Sequence, residues 1–144
     1  MRALDTNILI YAEDRASPRR ETALDLLQSL ANGPAPWAIP WPCIYEFLRV
    51  ATHPRALRSP LPMSIAQSDL RAITASPSLL LLTETERHLD VLEQVLRDSG
   101  ATGSLLHDAH IAALCIEHGV SELVTADRDF RRFRGLRIRD PFRD

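Results

Sequence analysis

Five carboxylates in this sequence stand where a fold has no ordinary need of them. The apolar pair Ala3 and Leu4 runs straight into Asp5, and the pair Leu123 and Val124 is followed by Asp127 and Asp129 with Arg128 between them. Short apolar runs of this kind read as buried strands, so acidic groups lie just beyond two strand ends. Asp108, in "LLHDAHIAALCIEHG", shares a helical stripe with Ile111, Ala112 and Cys115, where the period calls for an apolar side chain. Glu46, in "CIYEFLRVA", lies beside Cys43 and Val50 on the flank of a helix whose core face is Ile44, Phe47, Leu48 and Ala51.

Four of the five have a local explanation. Asp5 serves equally well as a helix cap, Asp127 and Asp129 as turn residues before a short helix in "DFRRF", and Glu46 as half of an exposed pair with Arg49. Asp108 is harder to account for locally. Its place near a helix N-terminus gains about 0.3–1 kcal/mol from the macrodipole, little against the cost of burying a charge. Brought together at one edge of a sheet, such groups raise one another's pKa or require a counter-ion. An all-oxygen set suits a hard dication, Mg²⁺ or Mn²⁺, that bridges to phosphate. The chemistry this implies is metal-assisted attack of water on a phosphodiester, with one metal or two left open.

The elements that must position these groups follow from local signals. Strands are expected at 2–5, 37–40, 78–83, 122–126 and 136–139. Helices are expected from near Ile8 with Thr6 or Asn7 as cap, from Ser17 and Pro18 to about Leu30, from Pro42 to about Ala51, and over 64–76, 85–100 and 105–118. "THPRALRSPLP" at 52–62 reads as a basic loop. "SLLLLT" has the length of a strand buried on both faces, and Leu89, Leu92, Val95 and Leu96 mark the inner face of the helix that follows. Alternating strands and helices give a fold of class α/β, one domain over 1–144, with a parallel sheet covered on both faces. Ligands in such sheets bind outside the carboxyl ends of the strands, where Asp5 and Asp127 fall.

Composition narrows the function classes. All 17 basic residues are arginine, which removes P-loop NTPases, Schiff-base enzymes, and the receiver-domain and haloacid-dehalogenase readings of a clustered-aspartate site, since each needs a lysine. Where the dehalogenase pattern wants a second aspartate, this chain has Asn7. The net charge of −2 disfavours a generic polyanion binder, but residues 128–143 hold seven arginines, which suit phosphate contact or an acidic partner as well as a solvated face. No apolar run approaches the roughly 20 residues of a membrane span, and Asp5 interrupts any secretory leader. Cys43 and Cys115 read as reduced core residues of a cytoplasmic protein. His107, His110 and His118 share a stripe with Leu114 on the helix face opposite Asp108; with no acidic or cysteine partner at defined spacing, it reads as a polar or dimer-facing surface rather than a zinc site.

"LDTNILIYA", "PWPCIYEFLRVATHP", "LLHDAHIAALCIEHG" and "LVTADRDFRRF", in that order, resemble the PIN-domain ribonucleases, and more narrowly the VapC-type toxins of bacterial toxin-antitoxin pairs. The resemblance spans nearly the whole chain. It implies a three-layer α/β/α sandwich with a short central parallel sheet, and an endoribonuclease dependent on Mg²⁺ or Mn²⁺. It further implies a homodimer inhibited by a cognate antitoxin. The implied catalytic set is Asp5, Glu46, Asp108 and Asp127. Asp5, Asp108 and Asp127 would hold metal, with Glu46 and Asp129 as further members, and Thr6, Asn7 and Thr125 would line the site. The alternative is a catalytically inactive PIN-like module that binds RNA or protein.

Overall fold

A computed structural model describes residues 1–143. Five strands form one sheet: β1 (Arg2–Leu4), β2 (Trp37–Pro40), β3 (Leu79–Leu82), β4 (Glu122–Val124) and β5 (Arg137–Arg139). Their order is β3-β2-β1-β4-β5 and every pairing is parallel. Six helices cover the sheet as a three-layer α/β/α fold: α1 (Thr6–Glu13), α2 (Arg20–Asn32), α3 (Trp41–Ala51), α4 (Met63–Thr74), α5 (His88–Ser99) and α6 (Leu105–Glu117). A 3₁₀ turn spans Arg128–Arg132. The described helices include none long and apolar enough to cross a membrane.

The strand order decides where a site can form. From β1 the chain winds outward through β2 to β3, then returns to the other side of β1 to lay down β4 and β5. The reversal lies between β1 and β4, whose neighbours Leu4 and Val124 are in register. In a parallel sheet a crevice opens outside the carboxyl ends of the strands at such a switch point. Asp5 follows β1 directly, and Thr125 to Asp127 follow β4.

Local chemistry explains the boundaries. Thr6 is already helical, so Asp5, and not Thr6 or Asn7, caps α1, its Oδ1 accepting from the Thr6 N–H at 2.7 Å. Ser17 starts a turn instead of α2: its Oγ accepts from the Arg19 N–H at 3.1 Å, and the helix begins at Arg20. Gly100 closes α5 in the left-handed region at φ 64°, a conformation that glycine adopts without steric cost. The core is continuous from Leu4, Ile8 and Leu9 through Ile39, Ile44 and Phe47 to Ala112, Leu114 and Leu123.

Two expectations of burial also fail. β3 is not buried on both faces; it is an edge strand, and Leu80 is 49% exposed. An apolar run reports that side chains avoid water on average, not how many neighbours a strand has. Leu89 also faces solvent at 65% exposure, because α5 turns Val91, Leu92, Val95 and Leu96 to the core. The histidine stripe divides as well: Leu114 is fully buried, while His107, His110 and His118 meet three different neighbourhoods.

Candidate functional site

Adjacent strand ends β1 and β4 are tied by a polar network that crosses the switch point. The Asp5 N–H donates to the Val124 carbonyl at 3.1 Å. The Thr125 hydroxyl donates to Asp5 Oδ2 at 2.7 Å, and its oxygen accepts from the Asn7 amide at 2.9 Å and from the Asp127 N–H at 3.0 Å. Asn7 also donates to Asp5 Oδ2 at 2.6 Å and accepts from the Ala126 N–H at 3.1 Å. Thr125 is 1% exposed, so each bond replaces one that water cannot supply. Asp127 in turn caps the 3₁₀ turn, Oδ1 accepting from the Asp129 N–H at 2.8 Å. Capping and convergence, which the sequence offers as alternatives, coexist in Asp127.

Asp108, Asp127 and Asp129 come together, with ligand-capable oxygens all within 4.8 Å of one another. Asp108 is half-buried at the N-terminal end of a stripe whose other members, Ile111, Ala112 and Cys115, are buried. Burial, then the charges of Asp127, Asp129 and Glu46, raises its carboxyl to about 6. Asp5, only 5% exposed, is not a member of this three-carboxylate group. Burial pushes it up to about 6 as well, opposed by the Thr125 and Thr6 bonds and assisted by the charges of Glu46 and Asp108. A carboxylate offers about four acceptor sites, and Asp5 uses three on Thr6, Asn7 and Thr125 and the fourth on the Cys43 thiol, a weak donor at 3.8 Å.

Glu46 makes two contacts. Its Oε2 accepts from the Thr6 hydroxyl at 3.1 Å, and its Oε1 pairs with the Arg49 guanidinium at 3.4 Å. It borders an open cleft of about 460 Å³ with Pro42, Tyr45, Arg49, His107 and Ile111. His107 lowers the Asp108 pKa, so it belongs with the acidic group and not with the other histidines. The exposed Tyr45 and Trp41, ring centroids 6.0 Å apart, stand beside it. The sequence places His107 only on the histidine stripe and Arg49 only as the partner of Glu46, and gives no signal for Tyr45; one signal was available, since His107 immediately precedes Asp108 in the first turn of α6.

The basic tail is largely engaged in ion pairs. Arg2, Arg137 and Arg139 surround the buried Glu122 at 3.2, 3.3 and 3.8 Å, Arg132 reaches Asp129 at 3.5 Å, and Arg143 reaches Asp140 at 3.2 Å. Cys43 and Cys115 are buried and free, and burial followed by the Asp5 charge pushes both thiols up, which keeps them protonated and unreactive.

The facing carboxylates fit a divalent cation. The group is all oxygen, two of its members are accessible, and burial together with mutual repulsion lifts Asp108, a cost that a cation at the same place offsets.

Fold and site together define a nuclease-type α/β domain with an acidic switch-point centre. A family model for the PIN domain matches residues 2–136. Relatives include Ribonuclease VapC48 of Mycobacterium tuberculosis, 36% identical over 138 residues that cover 96% of this chain and 95% of the relative. Ribonuclease VapC37 of the same species is 35% identical over 141 residues, covering 98% and 97%. The chain belongs to the PIN-domain family, in its VapC branch. Its fold is similar to that in the crystal structure of VapBC2 from Rickettsia felis bound to a promoter DNA fragment, with TM-score 0.67, 21% identity and 96% of each chain covered.

Proposed function

We propose that the protein is a metal-dependent endoribonuclease, the toxin of a toxin-antitoxin pair held in check by a cognate antitoxin. The observation that carries this reading is the convergence of Asp108, Asp127 and Asp129 at the carboxyl edge of the sheet. Relatives named Ribonuclease VapC, matched over almost their whole length, supply the substrate class. Mg²⁺ or Mn²⁺ is the cation, held by Asp108 and Asp127 with Asp129, and by Asp5, whose weakest contact, the Cys43 thiol at 3.8 Å, gives way to it. When bound, such an ion activates water and neutralises charge on the phosphate.

The chain's own groups do the rest. Asp5, Asn7 and Thr125 fix the backbone at Asp127 and so set the spacing of the carboxylates. Glu46, oriented by Thr6 and open to the cleft, accepts a proton from the attacking water. Arg49 and His107 line the same cleft and meet the phosphates on either side of the scissile bond. The protein acts in the cytoplasm, as a homodimer in the free toxin.

Purified protein incubated with RNA in Mg²⁺ or Mn²⁺ should cut internally and stop in EDTA. Asp108→Asn, checked for folding by circular dichroism, should lose at least about 100-fold in rate, beyond the roughly 10–100-fold typical of disturbing a residue behind a metal ligand. Equal cutting in chelator, or by the variant, overturns the assignment.

A further inference from the structure

Opposite Asp108 on α6, a second cluster takes no part in the site described above. Glu84, His88 and His110 present ligand atoms within 4.8 Å of one another. His110 Nε2 lies 2.7 Å from Glu84 Oε1, and the His88 and His110 rings meet edge to face with centroids 5.3 Å apart. Behind them stands Glu117, whose side chain has no exposure and whose Oε2 is 3.0 Å from His88 Nδ1. Its other oxygen accepts from the Thr85 N–H at 3.2 Å, and its carbonyl accepts from the Arg87 guanidinium at 2.8 Å.

We propose that Glu84, His88 and His110 bind one transition-metal dication of the zinc class. A buried carboxylate on Nδ1 of a histidine fixes the ring and its tautomer, which leaves Nε2 as a lone-pair donor; metal-binding histidines are held this way. Glu117 places that constraint on His88. Two imidazoles and one carboxylate with a fourth position open to solvent suit Zn²⁺, Co²⁺ or Ni²⁺, whereas Mg²⁺ prefers oxygen alone. An ion pair explains the contact between His110 and Glu84, but not the second imidazole turned onto it with its own buried carboxylate. Side chains 16% (His88), 34% (His110) and 53% (Glu84) exposed leave the cluster open to an entering ion. A bound ion ties the segment between β3 and α5 to the middle of α6.

Tag-free protein stripped with chelator and titrated with Zn²⁺ by calorimetry tests this. One equivalent should bind to the parent and equally to Asp108→Asn, in which the acidic centre is disabled. His88→Gln and His110→Gln should each weaken binding by at least about tenfold. Co²⁺ in place of Zn²⁺ should give the strong visible absorption of a low-coordinate nitrogen site in the parent and in Asp108→Asn. Where a histidine variant fails to fold, Glu84→Gln decides, since Glu84 is exposed and its replacement leaves the core untouched; it too should weaken Zn²⁺ and dim the Co²⁺ spectrum. Absence of Zn²⁺ binding, binding lost in Asp108→Asn, or binding unchanged in Glu84→Gln overturns the proposal.

Discussion

Asp108 and His110 stand two residues apart on one helix and face opposite electrostatic worlds. On one side, burial and neighbouring carboxylates raise Asp108 to about 6. On the other, its own backbone N–H and then the His110 ring hold Glu84 below the usual range. The first cluster is oxygen only and repels itself; the second mixes nitrogen with oxygen and attracts itself. A helix two residues further round presents a different ligand chemistry, so a single element can serve a hard cation and a borderline one without competition. Four measurements break or sharpen that contrast.

The largest effect is expected from pH. Asp5 has a folded pKa of about 6 against an ordinary 3.8, so the native state holds its proton more tightly than the unfolded chain does. Stability therefore falls as pH rises between these values, and the cost, on the order of 3 kcal/mol for Asp5, is complete above about 6 and absent below 3.8. Asp108 acts in the same direction, reduced by solvent screening. Denaturant unfolding in EDTA should show higher stability near pH 5 than near pH 7.5. A profile that falls toward pH 5 would mean that burial and neighbouring charge do not hold Asp5 and Asp108 above the ordinary carboxylate range.

Next comes Mg²⁺. At ~100 times its dissociation constant it should stabilise the parent by roughly 2.7 kcal/mol. Asp108→Asn should lose most of this gain and be no less stable than the parent without metal, while His110→Gln keeps it. If His110→Gln loses the gain too, the two faces of α6 are coupled; an Asp108→Asn variant that melts lower without metal and keeps the full shift makes Asp108 structural.

Thr125→Val tests the network that holds the strand ends. It removes a donor to Asp5 and the acceptor of an Asn7 amide proton and of the Asp127 N–H, all at a buried position. The expected loss is about 1–3 kcal/mol in thermal or denaturant unfolding, with cleavage falling alongside it. Loss of cleavage alone would place Thr125 at the substrate.

The smallest effect belongs to the exposed arginines. Arg55→Ala and Arg58→Ala should change stability by less than about 0.5 kcal/mol. RNA or antitoxin binding should weaken and depend less on salt. Arg131→Ala should behave alike. Arg132 differs, because its pairing with Asp129 makes it part of the acidic site, and its alanine variant should also reduce cleavage. Binding to both partners unchanged across the set would leave these arginines as solvated surface.

The five strands, the six helices and the carboxylates at two strand ends were legible in the sequence because their signals are local. An apolar run, a period of 3.6 and a residue that caps the next turn all act within a few positions. Asp108 was legible for the same reason, as a charge on an apolar stripe. Strand order was not, since it is set by which chain segments meet across long separations, and so the edge position of β3 and the outward turn of Leu89 escaped the pattern. The partner of His110 is 26 residues away in Glu84, and that of Asp5 is 120 residues away in Thr125. Residue types decided that this chain carried acidic and imidazole ligands; only the packing of α6 against the sheet, and of the segment after β3 against α6, decided which of them share a space.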